Sequence, residues 1–194
     1  PDEISKEGLL MTFMSLSEFL VALGEFMETG SLPIPMYTAP RGIGGEIANT
    51  ENAFMFRLLE NNNIDLRYLD VSNVENMQEM FYSCSALTKL DLSSWDVSNV
   101  VNMQEMFNSC SALTELDLSS WDVSNVTNMI SMFNGCSNLI ELDLSSFDTS
   151  NVIYMMNIFY NCNSLEKIYA KTEADANRFR NSYGFPSQAE VIVV

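Results

Sequence analysis

The chain contains no histidine among its 194 residues. That excludes Ser-His-Asp triads and every metal site built on imidazole. Bases are scarce as well: nine lysines and arginines face 26 acids, for a net charge of −17. Direct binding to a nucleic-acid backbone is disfavoured, because each phosphate contacted needs a cation beside it. Such a surface suits solubility, weak cation binding or a protein partner with a basic patch. No run of about 18 apolar residues occurs, so no segment reads as membrane-spanning. The four cysteines form no CxxC pair, which argues against a zinc ribbon. No cofactor motif is present, and "GIGG" near residue 43 lacks the Lys-Ser/Thr of a phosphate loop.

What the chain has is a repeat. "LDLSSWDVSNV" occurs unchanged at Leu90–Val100 and Leu116–Val126, returns as "LDLSSFDTSNV" at Leu142–Val152, and more loosely as "IDLRYLDVSNV" at Ile64–Val74. The interval is 26 residues, and Cys84, Cys110, Cys136 and Cys162 keep it, as do Phe81, Phe107, Phe133 and Phe159. A fixed period of this length implies a stack of similar units, none able to bury its apolar face alone. Within a unit, "LTKLDL" alternates like a strand, with Leu90 and Leu92 on one face and Asp91 on the other. Val100, Met103, Met106, Phe107 and Cys110 then follow at the spacing of one helical stripe. Ser98 stands where an N-cap would, and Ser72 with Glu75 resembles a capping box. The expected fold is therefore α/β: a short solenoid with a parallel sheet on its concave side and short helices on its convex side.

Three regions are expected: residues 1–60 as a helical region and loop, 61–168 as four repeats, and 169–194 as a closing segment. In the first, Leu9, Phe13, Leu16 and Leu20 share one helix seam. That helix either caps the open end of the stack or binds a partner.

The columns that face outward are the candidates for function. Asp65, Asp91, Asp117 and Asp143 lie between the strand leucines and point out of the concave face, read as its only charged column. Carboxylates stacked about 5 Å apart repel one another. Hydrogen bonds from Ser93, Ser119 and Ser145, bound cations or a basic ligand would offset this, so the column is either scaffold or site. A second column, Asp70, Asp96, Asp122 and Asp148, fits Asx turns. Evenly repeated carboxylates suit catalysis poorly, since catalysis needs two different environments. The protein is accordingly expected not to be an enzyme.

The motif L-x-x-L-D-L-S-S-[WF]-D-x-S-N-V-x-N-M-x-x-M-F-x-x-C-S resembles the bacterial surface leucine-rich repeats called BspA-like, of the Mycoplasma-lipoprotein type. The likeness covers Ile64 to about Ile168, and the tail resembles the end of such arrays, with a helix near Glu173–Ser182 and a last strand at Glu190–Val194. It implies a protein-binding module of the adhesin or surface-recognition kind, secreted or at the cell surface. The start "PDEISKEGLL" shows no signal peptide, which implies the cytoplasm if the chain is complete. The acidic charge leaves open an alternative, a nucleic-acid-mimicking inhibitor of a host enzyme carried by a mobile element.

Overall fold

The computed structural model describes Leu66 and residues Asp70–Val194; the seam at Leu9, Phe13, Leu16 and Leu20, the expected N-terminal cap, and Asp65 lie outside them. These residues form a mixed structure of short strands in parallel sheets, with few helices and no closed barrel. In chain order the elements are β1 (Lys89–Asp91), β2 (Glu115–Asp117), β3 (Glu141–Leu144), β4 (Lys167–Ala170), α1 (Glu173–Arg180) and β5 (Glu190–Val193). β1 pairs with β2, and β3 with β4, in parallel and with partners 26 residues apart, such as Leu90↔Leu116 and Leu142↔Ile168. β5 adds a third parallel strand beside β4. The same offset recurs away from the strands, in the bridges Asn76↔Asn102 and Asn102↔Asn128.

The helices expected within the repeats are not there among the described residues; only the one expected near Glu173–Ser182 is, as α1. From Asn102 to Cys110 the chain makes successive tight turns, in which Met106 N–H donates to Met103 O, Asn108 to Glu105 O and Cys110 to Phe107 O. The alternate N–H groups point the other way: Met103, Glu105, Phe107 and Ser109 donate to Asn128, Ile130, Met132 and Asn134 of the next unit. An α-helix would use all of these donors within its own segment. Here half are spent on the neighbour, so each unit is joined to the next along its turns as well as its strands. This backbone requires left-handed residues, and Glu105 (φ 56°), Ser109 (φ 64°), Ser131 (φ 54°) and Gly135 (φ 75°) supply them. Turns of about three residues bury the same stripe as a helix, which is why the spacing alone misleads. The Ser98 cap and the Ser72–Glu75 box fall with the helices: Ser98 and Ser72 donate instead to Asp96 and Asp70.

The core is a set of columns. Phe81, Phe107, Phe133 and Phe159 stack nearly parallel, with centroids 5.4, 5.7 and 6.0 Å apart, and Phe179 of α1 closes the column edge-on at 5.6 Å. Trp95, Trp121 and Phe147 are buried beside them. The Trp121 indole N–H donates to Leu92 O at 3.1 Å. Phe147 has no such donor, and the hydroxyl of Ser146 takes the corresponding carbonyl, Leu118 O, at 3.3 Å. Leu118 O already accepts from the Trp121 N–H at 3.0 Å, so the serine hydroxyl fills the second acceptor position that an indole fills in the unit before. The four cysteines are buried and form no disulfide. Cys110, Cys136 and Cys162 donate to the carbonyls of Phe81, Phe107 and Phe133. Burial pushes the Cys162 thiol up to about 12 and Cys136 well above the ordinary range, so these side chains act as small apolar fillers.

The single expected sheet is in fact two: β1–β2, and β3–β4–β5. At the junction between β2 and β3 both outward rows bring acids together, although Asp91 also faces Asp117 within the paired β1–β2. At β1–β2 the pairing sets Lys89 against Glu115, and at β3–β4 it sets Glu141 against Lys167. Across the gap, the 26-residue offset sets Glu115 against Glu141 and Asp117 against Asp143. Like charges directly opposite weaken strand pairing, and opposite charges support it. We therefore expect melting temperature to rise by a few degrees as salt is raised from low to physiological ionic strength. A melting temperature that falls with salt would mean that the two Lys–Glu pairs outweigh the repulsion.

Candidate functional site

The strand face outside the core is built by the alternation itself: in β1, Leu90 is buried while Lys89 and Asp91 are exposed. Each strand thus contributes two outward side chains. One row is Asp91, Asp117, Asp143 and Tyr169; the other is Lys89, Glu115, Glu141 and Lys167. The second row corrects the reading of the Asp column as the only charged one on this face. The alternation that turned Asp91 outward also turned the residue two places before it outward, so this signal was present in the sequence.

The second row is internally paired. Lys89 Nζ lies 2.5 Å from Glu115 Oε1, and Lys167 Nζ lies 2.6 Å from Glu141 Oε1. Hydrogen bonding and attraction from Lys167 hold the Glu141 carboxyl below its usual range, and Glu141 in turn raises Lys167. Both pairs are exposed, so each contributes little to stability by itself.

The Asp row is anchored at its base. Ser93 donates through both its N–H (3.1 Å) and its hydroxyl (2.7 Å) to Asp91 Oδ1, and Ser119 does the same to Asp117 Oδ1 at 3.0 and 2.7 Å. Ser145 N–H donates to Asp143 Oδ1 at 2.9 Å. Each Asp thereby forms an Asx turn where its strand ends, at the last residue of β1 and β2 and one residue earlier in β3, which explains why Asp and Ser recur two apart. For Asp117 and Asp143 no ion pair forms among the described residues. The second Asp column repeats the device: Asp70, Asp122 and Asp148 accept from Ser72, Ser124 and Ser150, and these hydrogen bonds hold all three carboxyls below their ordinary range.

Among the described residues no group of three or more His, Cys, Asp or Glu side chains is placed to hold a metal ion. No helix among them is long and apolar enough to cross a membrane.

The family model described as "Mycoplasma protein of unknown function, DUF285" matches residues 50–173. The chain belongs to this family. The matched span holds both rows of the strand face and all of the turn segments, and it stops at the first residue of α1. The rest of α1 and β5 therefore lie beyond the family match. No curated protein and no solved structure matches the chain.

Proposed function

We propose that the chain is a leucine-rich-repeat solenoid of the BspA-like kind, a non-enzymatic module that binds protein through its concave strand face. The solenoid reading is supported by parallel pairing at an offset of 26 in β1–β2, in β3–β4 and in the bridges between turns, with 23 at the closing pair β4–β5. The binding reading rests on one observation. Asp117 and Asp143 are exposed and lack ion pairs among the described residues, and they lie across the junction where Glu115 also meets Glu141. A partner's lysine or arginine placed there would relieve repulsion between Asp117 and Asp143, which no ion pair among the described residues relieves. The partner is accordingly a protein with a basic patch, met in a surface-recognition role.

A mimic of nucleic acid is not favoured by this face. Duplex DNA carries one charge per about 1.7 Å of axis, whereas strands bring one Asp about every 4.8 Å. Lys89 and Lys167 moreover stand in the row beside them.

The test is capture of partners by the intact chain and by an Asp91→Asn/Asp117→Asn/Asp143→Asn variant. Asn keeps an oxygen to accept from each serine, so the turns persist and melting should stay level or rise. We expect the partner's dissociation constant to rise at least about tenfold, and wild-type binding to weaken with salt. A folded variant that binds as well as wild type would remove the strand face as the site.

A further inference from the structure

The outer surface of the turn segments changes character along the stack. In the earlier units it is a polar network: Asn102 Nδ2 donates to Gln78 Oε1 (3.2 Å), Asn128 Nδ2 to Gln104 Oε1 (3.1 Å), and Asn108 Nδ2 to Glu105 Oε2 (3.1 Å). In the fourth unit the corresponding places hold Tyr154 for Asn102, Met156 for Gln104 and Tyr160 for Asn108. The inward columns stay apolar: Val152, Ile158, Phe159 and Cys162 remain buried, and Met155 is partly buried. The core therefore does not require these apolar residues. Ile153 is 70% exposed, Tyr154 57%, Met156 62% and Tyr160 40%. The tail adds to them: Tyr183, 70% exposed, stacks on Tyr160 at 6.2 Å. Gly184 makes this possible, because a Cβ there would come within 2.2 Å of the Tyr160 ring.

Area and charge together say what covers this surface. The five side chains leave roughly 600 Å² in water, about the largest apolar patch an ordinary monomer shows. Doubled in a symmetric pair, that is about 1,200 Å², the lower bound of a standard specific interface. From Val152 to Leu165 there is no charged residue, whereas from Asp70 to Glu166 there are 13 acids against Lys89 alone. The segment from Lys167 onward carries four bases against three acids. Among the described residues the stretches Val123–Ile140 and Thr149–Leu165 are both free of charge, and it is the second that carries these exposed apolar side chains. Two chains of net charge −17 that meet there keep their acidic strand faces apart.

We propose that Ile153, Tyr154, Met156, Tyr160 and Tyr183 form a symmetric dimer interface, covered by the same residues of a second copy. The proposal is independent of any partner on the strand face. It is tested by sedimentation equilibrium of the whole chain at rising concentration and at two salt levels. Wild type should dimerise, and more tightly at high salt, because screening removes self-repulsion and no interfacial ion pair is lost. Tyr154→Asn/Met156→Gln writes into the fourth unit the residues that Asn128 and Gln104 already hold in their columns, so melting should change little. Each lost anchor counts twice in a symmetric interface, so the dissociation constant should rise on the order of a hundredfold. Tyr183→Ser, on the tail and outside the stack, should weaken the dimer too and covers the case in which the double variant fails to fold. A wild type that stays monomeric through the micromolar range would overturn the proposal. So would folded variants that dimerise as wild type does, or a monomer whose patch is taken up only by neutral lipid vesicles.

Discussion

Phe133→Ala should lower stability by about 3–5 kcal/mol, the range for removing a fully buried aromatic ring. Phe133 is 0% exposed and sits between Phe107 and Phe159, 5.7 Å from one ring and 6.0 Å from the other. Its backbone also carries the stack, since Phe133 N–H donates to Ile158 O of the next unit at 3.0 Å. Loss of the ring opens a void that the stack does not readily close, because the backbones on either side of it are tied in register, Phe107 N–H also donating to Met132 O at 2.9 Å. Set against a typical total of about 5–15 kcal/mol, this is enough to bring a marginal chain near unfolding at ordinary temperature. Urea melts of Phe133→Ala and Phe133→Leu measure it, with leucine expected to recover most of the loss. A cost below about 1.5 kcal/mol for alanine would mean that the columns collapse freely and are not rigidly stacked.

Asp175→Ala should rank second, at about 2–4 kcal/mol, because it leaves buried donors without an acceptor. Three units carry valine in one buried column (Val71, Val97 and Val123), and the fourth carries Thr149, which is 0% exposed. Asp175 stands 26 residues later, in α1, and is 5% exposed. Its Oδ1 accepts from Thr149 N–H at 3.0 Å and from the Thr149 hydroxyl at 2.6 Å, while Thr172, the N-cap of α1, donates its hydroxyl to Oδ2. One carboxylate thus replaces an apolar column by a polar lock at the point where turns give way to a true helix. Burial works to raise the Asp175 pKa, but the hydrogen bonds from Thr149 and Thr172 outweigh it and hold it below the ordinary value. A depressed folded pKa contributes stability that is present above the unfolded pKa and lost as pH falls through the folded one. Wild type should therefore lose stability on acidification below the ordinary aspartate range, and Asp175→Asn should lose less over the same interval. Equal acid sensitivity in the two proteins would show that the lock is not what titrates. In a cycle with Thr149→Val, the two sites should be strongly non-additive.

These two positions also mark how far the amino-acid order reaches. The interval of 26, the buried columns of Leu, Phe, Met and Cys, the outward Asp91, Asp117 and Asp143, and the recurrence of Asp and Ser two apart follow from alternation and local turn chemistry, which act within a few residues. What each N–H bonds to does not. Met103 to Cys110 carry a spacing equally suited to helix and to turns, and only the neighbouring unit, by accepting from Met103, Glu105, Phe107 and Ser109, decided for turns. The split of the sheet between β2 and β3 is likewise not written in any one repeat, being a matter of which strands lie side by side. The lock of Asp175 on Thr149, and the apolar surface completed by Tyr183 on Tyr160, join tail to stack and exist only once the tail has folded back. Local pattern determines what a residue prefers; which preference is satisfied depends on partners far away in the chain, and these only the assembled stack supplies.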